Sequence, residues 1–143
     1  MYNPIPETMG QLKTAAEEAA EKAYAPYSNF RVGAALLFDD GAVVAGCNVE
    51  NISYGLAICA ERSALCRAIA ENGAHRKIVA VVVTNLNHTA SPPCGACRQM
   101  LSEFVAPHAM VYFPDGQGTT SVPFSELLPH SFTSWKKEDD ARG

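Results

Sequence analysis

Two short stretches of the chain carry its most reactive side chains. Residues 59–62 read Cys-Ala-Glu-Arg and offer one thiol followed, two residues later, by one carboxylate. Residues 93–97 read Pro-Cys-Gly-Ala-Cys and offer two thiols in the C-x-x-C spacing. Three cysteines can bind a zinc ion and leave its fourth tetrahedral position open for water, whereas structural zinc sites usually take four protein ligands. We therefore predict a catalytic site in which Cys59, Cys94 and Cys97 bind one Zn²⁺ per chain.

Glu61 and Arg62 have side chains that suit roles beside such a metal. On a helix, Glu61 is rotated by roughly 200° from Cys59, so its carboxylate would approach the open coordination position without being a fourth ligand. There it could accept a proton from water and pass it on as a general acid. Three thiolates give the site an excess of negative charge. We expect Arg62 to offset that charge by donating a hydrogen bond to a cysteine sulfur.

Two predicted helices must position these groups. Cys59 falls at the start of a helix that runs to about Glu71, and Cys94 and Cys97 fall at the start of another that runs to about Phe104. Helix N-termini present free N–H groups and a partial positive charge, which favour the thiolate form that binds metal. Both helices are therefore expected to bring their first residues together.

The remaining pattern predicts an α/β fold, a three-layer α-β-α sandwich with a mixed sheet of about five strands. We expect a single catalytic domain over residues 1–132 and a charged tail over residues 133–143. Apolar spacing predicts a helix at 7–24, strands at 31–38, 42–47, 78–84, 110–113 and 120–122, and a helical turn at 125–128.

Composition limits the classes of function. The chain has 143 residues, of which 48% are apolar and 18% charged, as in a compact globular domain. A net charge of −4 without a basic cluster argues against a nucleic-acid partner and favours a small substrate. The first residues do not resemble a signal peptide, and no apolar run is long enough to span a membrane. We expect a cytoplasmic protein without membrane association. In that reducing compartment, cysteines such as the five in this chain bind metal or act in catalysis more often than they form disulfides.

Other readings of the cysteines stay open at this point. A C-x-x-C pair alone suits a redox motif or a structural zinc site equally well. A closed structural site would need a fourth ligand, which Cys47, Cys66 or a histidine could supply, although none of the four histidines has paired ligand spacing. A non-catalytic, zinc-stabilised binding module is thus the alternative from a different class.

From about Tyr24 to Phe132 the sequence resembles the short-chain, homotetrameric cytidine deaminases. The resemblance implies zinc-dependent hydrolytic deamination of cytidine and 2′-deoxycytidine in pyrimidine salvage, with Glu61 carrying protons to N3 of the base and to the departing amine. It rests on the two cysteine motifs and their flanks together with residues 25–30 (APYSNF), 32–37 (VGAALL), 46–51 (GCNVEN), 53–55 (SYG) and 126–129 (ELLP).

The resemblance also implies how the substrate is bound. Asn48 and Glu50 match a pair that hydrogen-bonds the ribose 3′-hydroxyl, and Phe30 matches an aromatic residue that packs on the pyrimidine ring. The backbone of Ala60 would help to recognise the base. The remaining two matches, Tyr54 and Phe132, are residues that complete a neighbouring subunit's site.

One position departs from the resemblance, and one related activity competes with it. Pro92 stands where many members have serine before the second motif. Proline keeps the backbone carbonyl expected near the leaving amine, so we expect a small effect. Deaminases of the antibiotic blasticidin S carry similar cysteine motifs, but the ribose-binding pair with Phe30 favours cytidine.

Overall fold

The computed structural model of the protein describes residues 6–132. The first five residues and the predicted charged tail, 133–143, lie outside the described residues. A 3₁₀ turn spans Tyr54–Leu56, between the second strand and the second helix. Helices and strands follow one another in the predicted order: α1 Pro6–Glu21, β1 Val32–Phe38, β2 Val43–Cys47, α2 Ala60–Asn72, β3 Ile78–Asn85, α3 Gly95–Leu101, β4 Val105–Pro114, β5 Thr119–Pro123 and α4 Phe124–Leu127.

The five strands form one mixed sheet in the order β2-β1-β3-β4-β5. Strands β3 and β4 pair in parallel, and the other neighbours pair antiparallel. The central strands β1 and β3 are almost entirely buried, which suits their continuous apolar sequences with helices on both faces. The predicted mixed sheet is confirmed.

Helices cover both faces of the sheet, as predicted. Helix α1 packs on one face through Leu12, and helices α2 and α3 pack on the other through Leu65 and Leu101. Leu36 and Leu37, adjacent in β1, belong to the two opposite clusters, because successive side chains of a strand point to opposite faces.

Two glycines allow the helices to approach the strands closely. A Cβ atom on Gly33 in β1 would lie 1.8 Å from the carbonyl oxygen of Ala16 in α1. A Cβ atom on Gly46 in β2 would lie 2.4 Å from the backbone nitrogen of Ala64 in α2. Since α2 begins immediately after Cys59, its contact with Gly46 also determines where that cysteine lies.

Three predicted element ends were wrong, and tertiary pairing explains each of them. Helix α1 ends at Glu21 because the backbone of Tyr24 pairs with Asn48 and Glu50, with N–O distances of 3.1 and 2.8 Å. Helix α3 ends at Leu101, and β4 begins at Val105 instead of residue 110. The carbonyl of Phe104 accepts the N–H of Ile78 at 2.8 Å, so the chain has already left the helix to pair with β3.

Candidate active site

Three of the five thiols converge where α2 and α3 begin. Cys59 directly precedes α2, Cys94 directly precedes α3, and Cys97 lies in the first turn of α3. The Sγ atoms of Cys59 and Cys94 are 3.5 Å apart, and those of Cys94 and Cys97 are 3.3 Å apart. Within residues 6–132, this is the group of metal-ligand side chains that comes together, and Cys47 and Cys66 lie outside it.

The spacing of these sulfurs fits a zinc ion. All three lie within 4.8 Å of one another, and zinc–sulfur bonds of about 2.3 Å in a tetrahedron place the sulfurs roughly 3.8 Å apart. Thiolates are also the ligands that select zinc over harder divalent ions. The three cysteines therefore fit Zn²⁺ with one coordination position left open.

Hydrogen bonds favour the ionised form of one thiol. The Sγ of Cys59 accepts a hydrogen bond from Nη2 of Arg62 at 3.7 Å and lies 3.5 Å from the Sγ of Cys94. Hydrogen bonding from the thiol of Cys97 first, and then from Arg62 and Cys94, holds the pKa of Cys59 at about 5, although desolvation acts in the opposite direction. The pKa of Cys97 is raised, because its proton is shared with Cys59 and because the side chain is buried. Metal binding would displace the protons that remain on the other thiols.

Glu61 is buried next to the cysteines. Its side chain is 4% exposed, in the first turn of α2. Burial raises the pKa of this carboxyl to about 7, and the nearby negative charge of Cys59 acts in the same direction. Glu61 is not among the three converging ligands. A carboxyl group that titrates near neutral pH can both accept and return a proton.

A cavity of about 190 Å³ is lined by Glu61 and five of the other predicted site residues. The described residues that line this cavity are Phe30, Val32, Asn48, Cys59, Ala60, Glu61, Val83, Ser91, Pro92 and Cys94. The structure thus brings Phe30 and Asn48 to the cysteines, although they are distant in sequence, and places Ala60 beside them.

Asn48 holds the backbone on both sides of Arg31, directly after Phe30. Its Nδ2 donates to the carbonyl of Phe30 at 2.8 Å, and its Oδ1 accepts the N–H of Val32 at 2.9 Å. These bonds leave the second N–H of the amide available to a ligand.

Glu50 and Tyr54 line a second cavity of about 340 Å³ together with Tyr27 and Ser28. Glu50 accepts backbone N–H groups from Tyr27 and Ser28 at 3.0 and 3.2 Å, and the hydroxyl of Ser28 donates to its other oxygen. These bonds, the hydroxyl first, lower the pKa of Glu50. Phe132 is 67% exposed and lines neither of these two cavities.

Asn85, which is not among the predicted site residues, has a buried side chain that holds one wall of the smaller cavity. Its Nδ2 donates to the carbonyl of Thr89 at 2.8 Å and to the hydroxyl of Ser91 at 3.2 Å, and its Oδ1 accepts the N–H of Asn87 at 3.0 Å. The loop so held carries Ser91 and Pro92 to the cavity. The sequence signal for this role was the position of Asn85, a polar residue at the end of the apolar strand β3, where a buried side chain must find hydrogen-bond partners.

Among the described residues, no helix is both long enough and apolar enough to cross a membrane.

Comparison with known proteins places this site in a family. Residues 6–113 match the family described as the cytidine and deoxycytidylate deaminase zinc-binding region. A cytidine deaminase of Halalkalibacterium halodurans is 47% identical over 123 residues, covering 85% of this chain and 92% of that protein. One from Mycobacterium tuberculosis is 40% identical over 121 residues, covering 85% and 86%. The crystal structure of cytidine deaminase from Burkholderia pseudomallei superposes with a TM-score of 0.78 at 47% identity, covering 86% of this chain and 98% of that chain. The chain therefore belongs to the cytidine and deoxycytidylate deaminase family.

Proposed function

We propose that the protein is a cytidine deaminase that converts cytidine and 2′-deoxycytidine to uridine and 2′-deoxyuridine, with release of ammonia, in pyrimidine salvage. The observation that carries this proposal is the single cavity shared by Glu61 and two of the three converging thiols. The relatives named cytidine deaminase support the same reaction. Deamination consumes one water molecule: a C4–O bond forms and the bond from C4 to the exocyclic amine breaks.

In this mechanism Cys59, Cys94 and Cys97 hold the metal, and Glu61 moves the protons. Zn²⁺, when bound, supplies a Lewis acid that lowers the pKa of water at the open coordination position. Glu61 accepts the proton of the attacking water and delivers it to N3 of the base. It then takes the remaining proton of the added oxygen, which becomes the C4 carbonyl, and transfers it to the amine, which leaves as ammonia. The raised pKa of Glu61, about 7, suits a group that must perform both transfers.

The neighbouring residues bind the substrate. Phe30 packs on the pyrimidine ring, and the backbone of Ala60 contacts the base. Asn48 and Glu50 bind a ribose hydroxyl, since each keeps hydrogen-bonding capacity that the protein does not use. Arg62 offsets the negative charge of the thiolates through its hydrogen bond to Cys59.

We further propose a cytoplasmic homotetramer in which Tyr54 and Phe132 complete the site of a neighbouring subunit. Exposed apolar side chains at Ile52, Tyr54 and Leu56 support an interface at this face. The single sheet within residues 6–132 supports one domain over 1–132, with 133–143 as a tail. Light scattering of the purified protein should give four times the chain mass, and a monomer with full activity would contradict the shared site.

The reaction is tested by following the ultraviolet absorbance of cytidine and 2′-deoxycytidine with purified protein, with and without a zinc chelator. We expect the absorbance to change to that of the uracil product, chelation to stop the change, and added zinc to restore it. Turnover of blasticidin S alone would favour the competing deaminase. Stoichiometric zinc without turnover of any of these substrates would favour a binding module.

A further inference from the structure

The carboxylate of Glu50 is held by the chain turn that precedes Phe30. One of its oxygens accepts the backbone N–H groups of Tyr27 and Ser28, at 3.0 and 3.2 Å. Its other oxygen accepts the hydroxyl of Ser28. A carboxylate oxygen offers two lone pairs, so the first oxygen is fully used and the second retains one lone pair for a ligand.

The same serine hydroxyl also contacts the backbone of Phe30. The N–H of Phe30 donates to Oγ of Ser28 at 2.9 Å, while that hydroxyl donates its own proton to Glu50. A serine hydroxyl can donate once and accept twice, so both bonds form together. Ser28 therefore connects the carboxylate to the residue whose ring lines the smaller cavity.

The capacity left unused at Glu50 and Asn48 matches a single hydroxyl group. Residues 48 and 50 flank Val49, which forms isolated β-bridges with Tyr24 and Ile58, and alternate residues of an extended chain face the same side. Asn48 retains one N–H donor after its bonds to the backbone. One donor and one remaining acceptor can together bind one hydroxyl, which accepts from the amide and donates to the carboxylate.

We propose that Ser28 is a positioning residue that orients Glu50 so that its unused lone pair faces the 3′-hydroxyl of the nucleoside. The inference rests on the proposed function and deepens it. Without the serine hydroxyl, Oε2 of Glu50 loses its protein donor, and the carboxylate is free to rotate away from the sugar. Loss of one hydrogen bond to a charged group weakens binding by roughly 10-fold or more.

The test compares the wild-type protein with Ser28→Ala on two substrates, cytidine and 3′-deoxycytidine, the latter read as turnover or as competitive inhibition. With cytidine, we expect KM to rise by roughly 10-fold while kcat changes far less. With 3′-deoxycytidine, which has no hydroxyl for Glu50 to bind, the two proteins should differ little. Ser28→Thr, which keeps the hydroxyl, should recover most of the affinity, and Ser121→Ala, at an exposed position of strand β5, should behave as wild type.

Each remaining outcome has a distinct meaning. An unchanged KM for cytidine, or an equal loss on both substrates, would overturn the positioning role of Ser28 while leaving the deaminase activity established. Absence of turnover by the wild-type protein would refute the proposed function itself. If Ser28→Ala does not fold, Ser28→Cys replaces it, because a thiol has similar size but is a weak donor, and the same comparison of substrates decides.

Discussion

Nη2 of Arg62 lies 3.7 Å from Sγ of Cys59 and also donates to the carbonyl of Ala57 at 3.3 Å. The guanidinium of Arg62 thus connects the backbone at Ala57, just before α2, to the negatively charged sulfur of Cys59. Its bond to Cys59 is one reason why the pKa of that thiol is about 5. The contact gives Arg62 an electrostatic role that is separate from packing.

Replacing Arg62 by glutamine should lower activity by roughly 10- to 100-fold, the usual cost of removing a group that contacts a metal ligand. The fold should persist, because Leu65, Ala64 and Ala68 keep α2 on the sheet. Steady-state kinetics and circular dichroism check both statements. Arg67→Gln, on the exposed face of the same helix, is the control, and equal activity in the two variants would contradict the role of Arg62.

Replacing Glu61 by glutamine should keep the fold and the bound zinc but reduce kcat by roughly 10²- to 10⁴-fold. Glutamine has the same shape but cannot accept and return a proton. Turnover and zinc content, measured on the same preparation, separate the two effects. Glu71→Gln alters an exposed ion pair at the other end of α2 and should retain activity. Normal turnover in Glu61→Gln would refute the mechanism and favour the binding module.

Replacing Cys97 by serine should abolish stoichiometric zinc binding and, in the presence of zinc, give a lower melting temperature than that of the wild-type protein. Cys97 is fully buried, with its Sγ 3.3 Å from that of Cys94, and a bound ligand stabilises the folded state by mass action. Elemental analysis and thermal unfolding with and without chelator measure the change. Cys66→Ser, at an exposed position of α2, should bind zinc normally, and zinc retention by Cys97→Ser would show that another residue is the ligand.

Replacing Gly46 by alanine should destabilise the protein by about 3 kcal/mol, because the added methyl group would collide with the backbone of Ala64 and force α2 away from the sheet. Gly10→Ala is the matched substitution. Its Cβ meets no atom within 4 Å, and alanine is better than glycine in a helix by about 1 kcal/mol. The urea concentration at the midpoint of unfolding should therefore fall for Gly46→Ala and rise for Gly10→Ala. An unchanged midpoint for Gly46→Ala would show that α2 can shift without loss of stability.

Replacing Asp40 by asparagine should lower stability at neutral pH, and the difference should narrow in acid. The N–H of Ala42 and the buried guanidinium of Arg76 lower the pKa of Asp40 in the folded protein. The carboxylate therefore contributes stability above its unfolded pKa of about 3.9, and this contribution is lost as pH falls through the folded value. Urea unfolding across this range checks the trend. Glu17→Gln is the exposed control, and a pH-independent difference for Asp40→Asn would contradict the linkage.

Local sequence was sufficient to predict the class of fold, the family and the convergence of three cysteines. The order of helices and strands follows from the apolar periodicity within each short segment. It can therefore be predicted without knowing how the segments pack together. The cysteine motifs are also local signals. Cys94 and Cys97 lie at the start of one helix, which fixes their positions relative to each other. The predicted family membership rested on the same short motifs and was confirmed.

Other features were decided only by tertiary structure, because they depend on segments that approach from distant parts of the chain. Helices α1 and α3 end earlier than predicted, because the backbone groups of Tyr24 and Phe104 pair with Asn48 and Ile78. Burial of Glu61, and hence its raised pKa, required the sheet and α3 to exclude water around it. The bond between Ser28 and Glu50 spans 22 residues. Neither residue type nor local spacing specifies such a contact, since it exists only when the turn before Phe30 packs against the segment after β2.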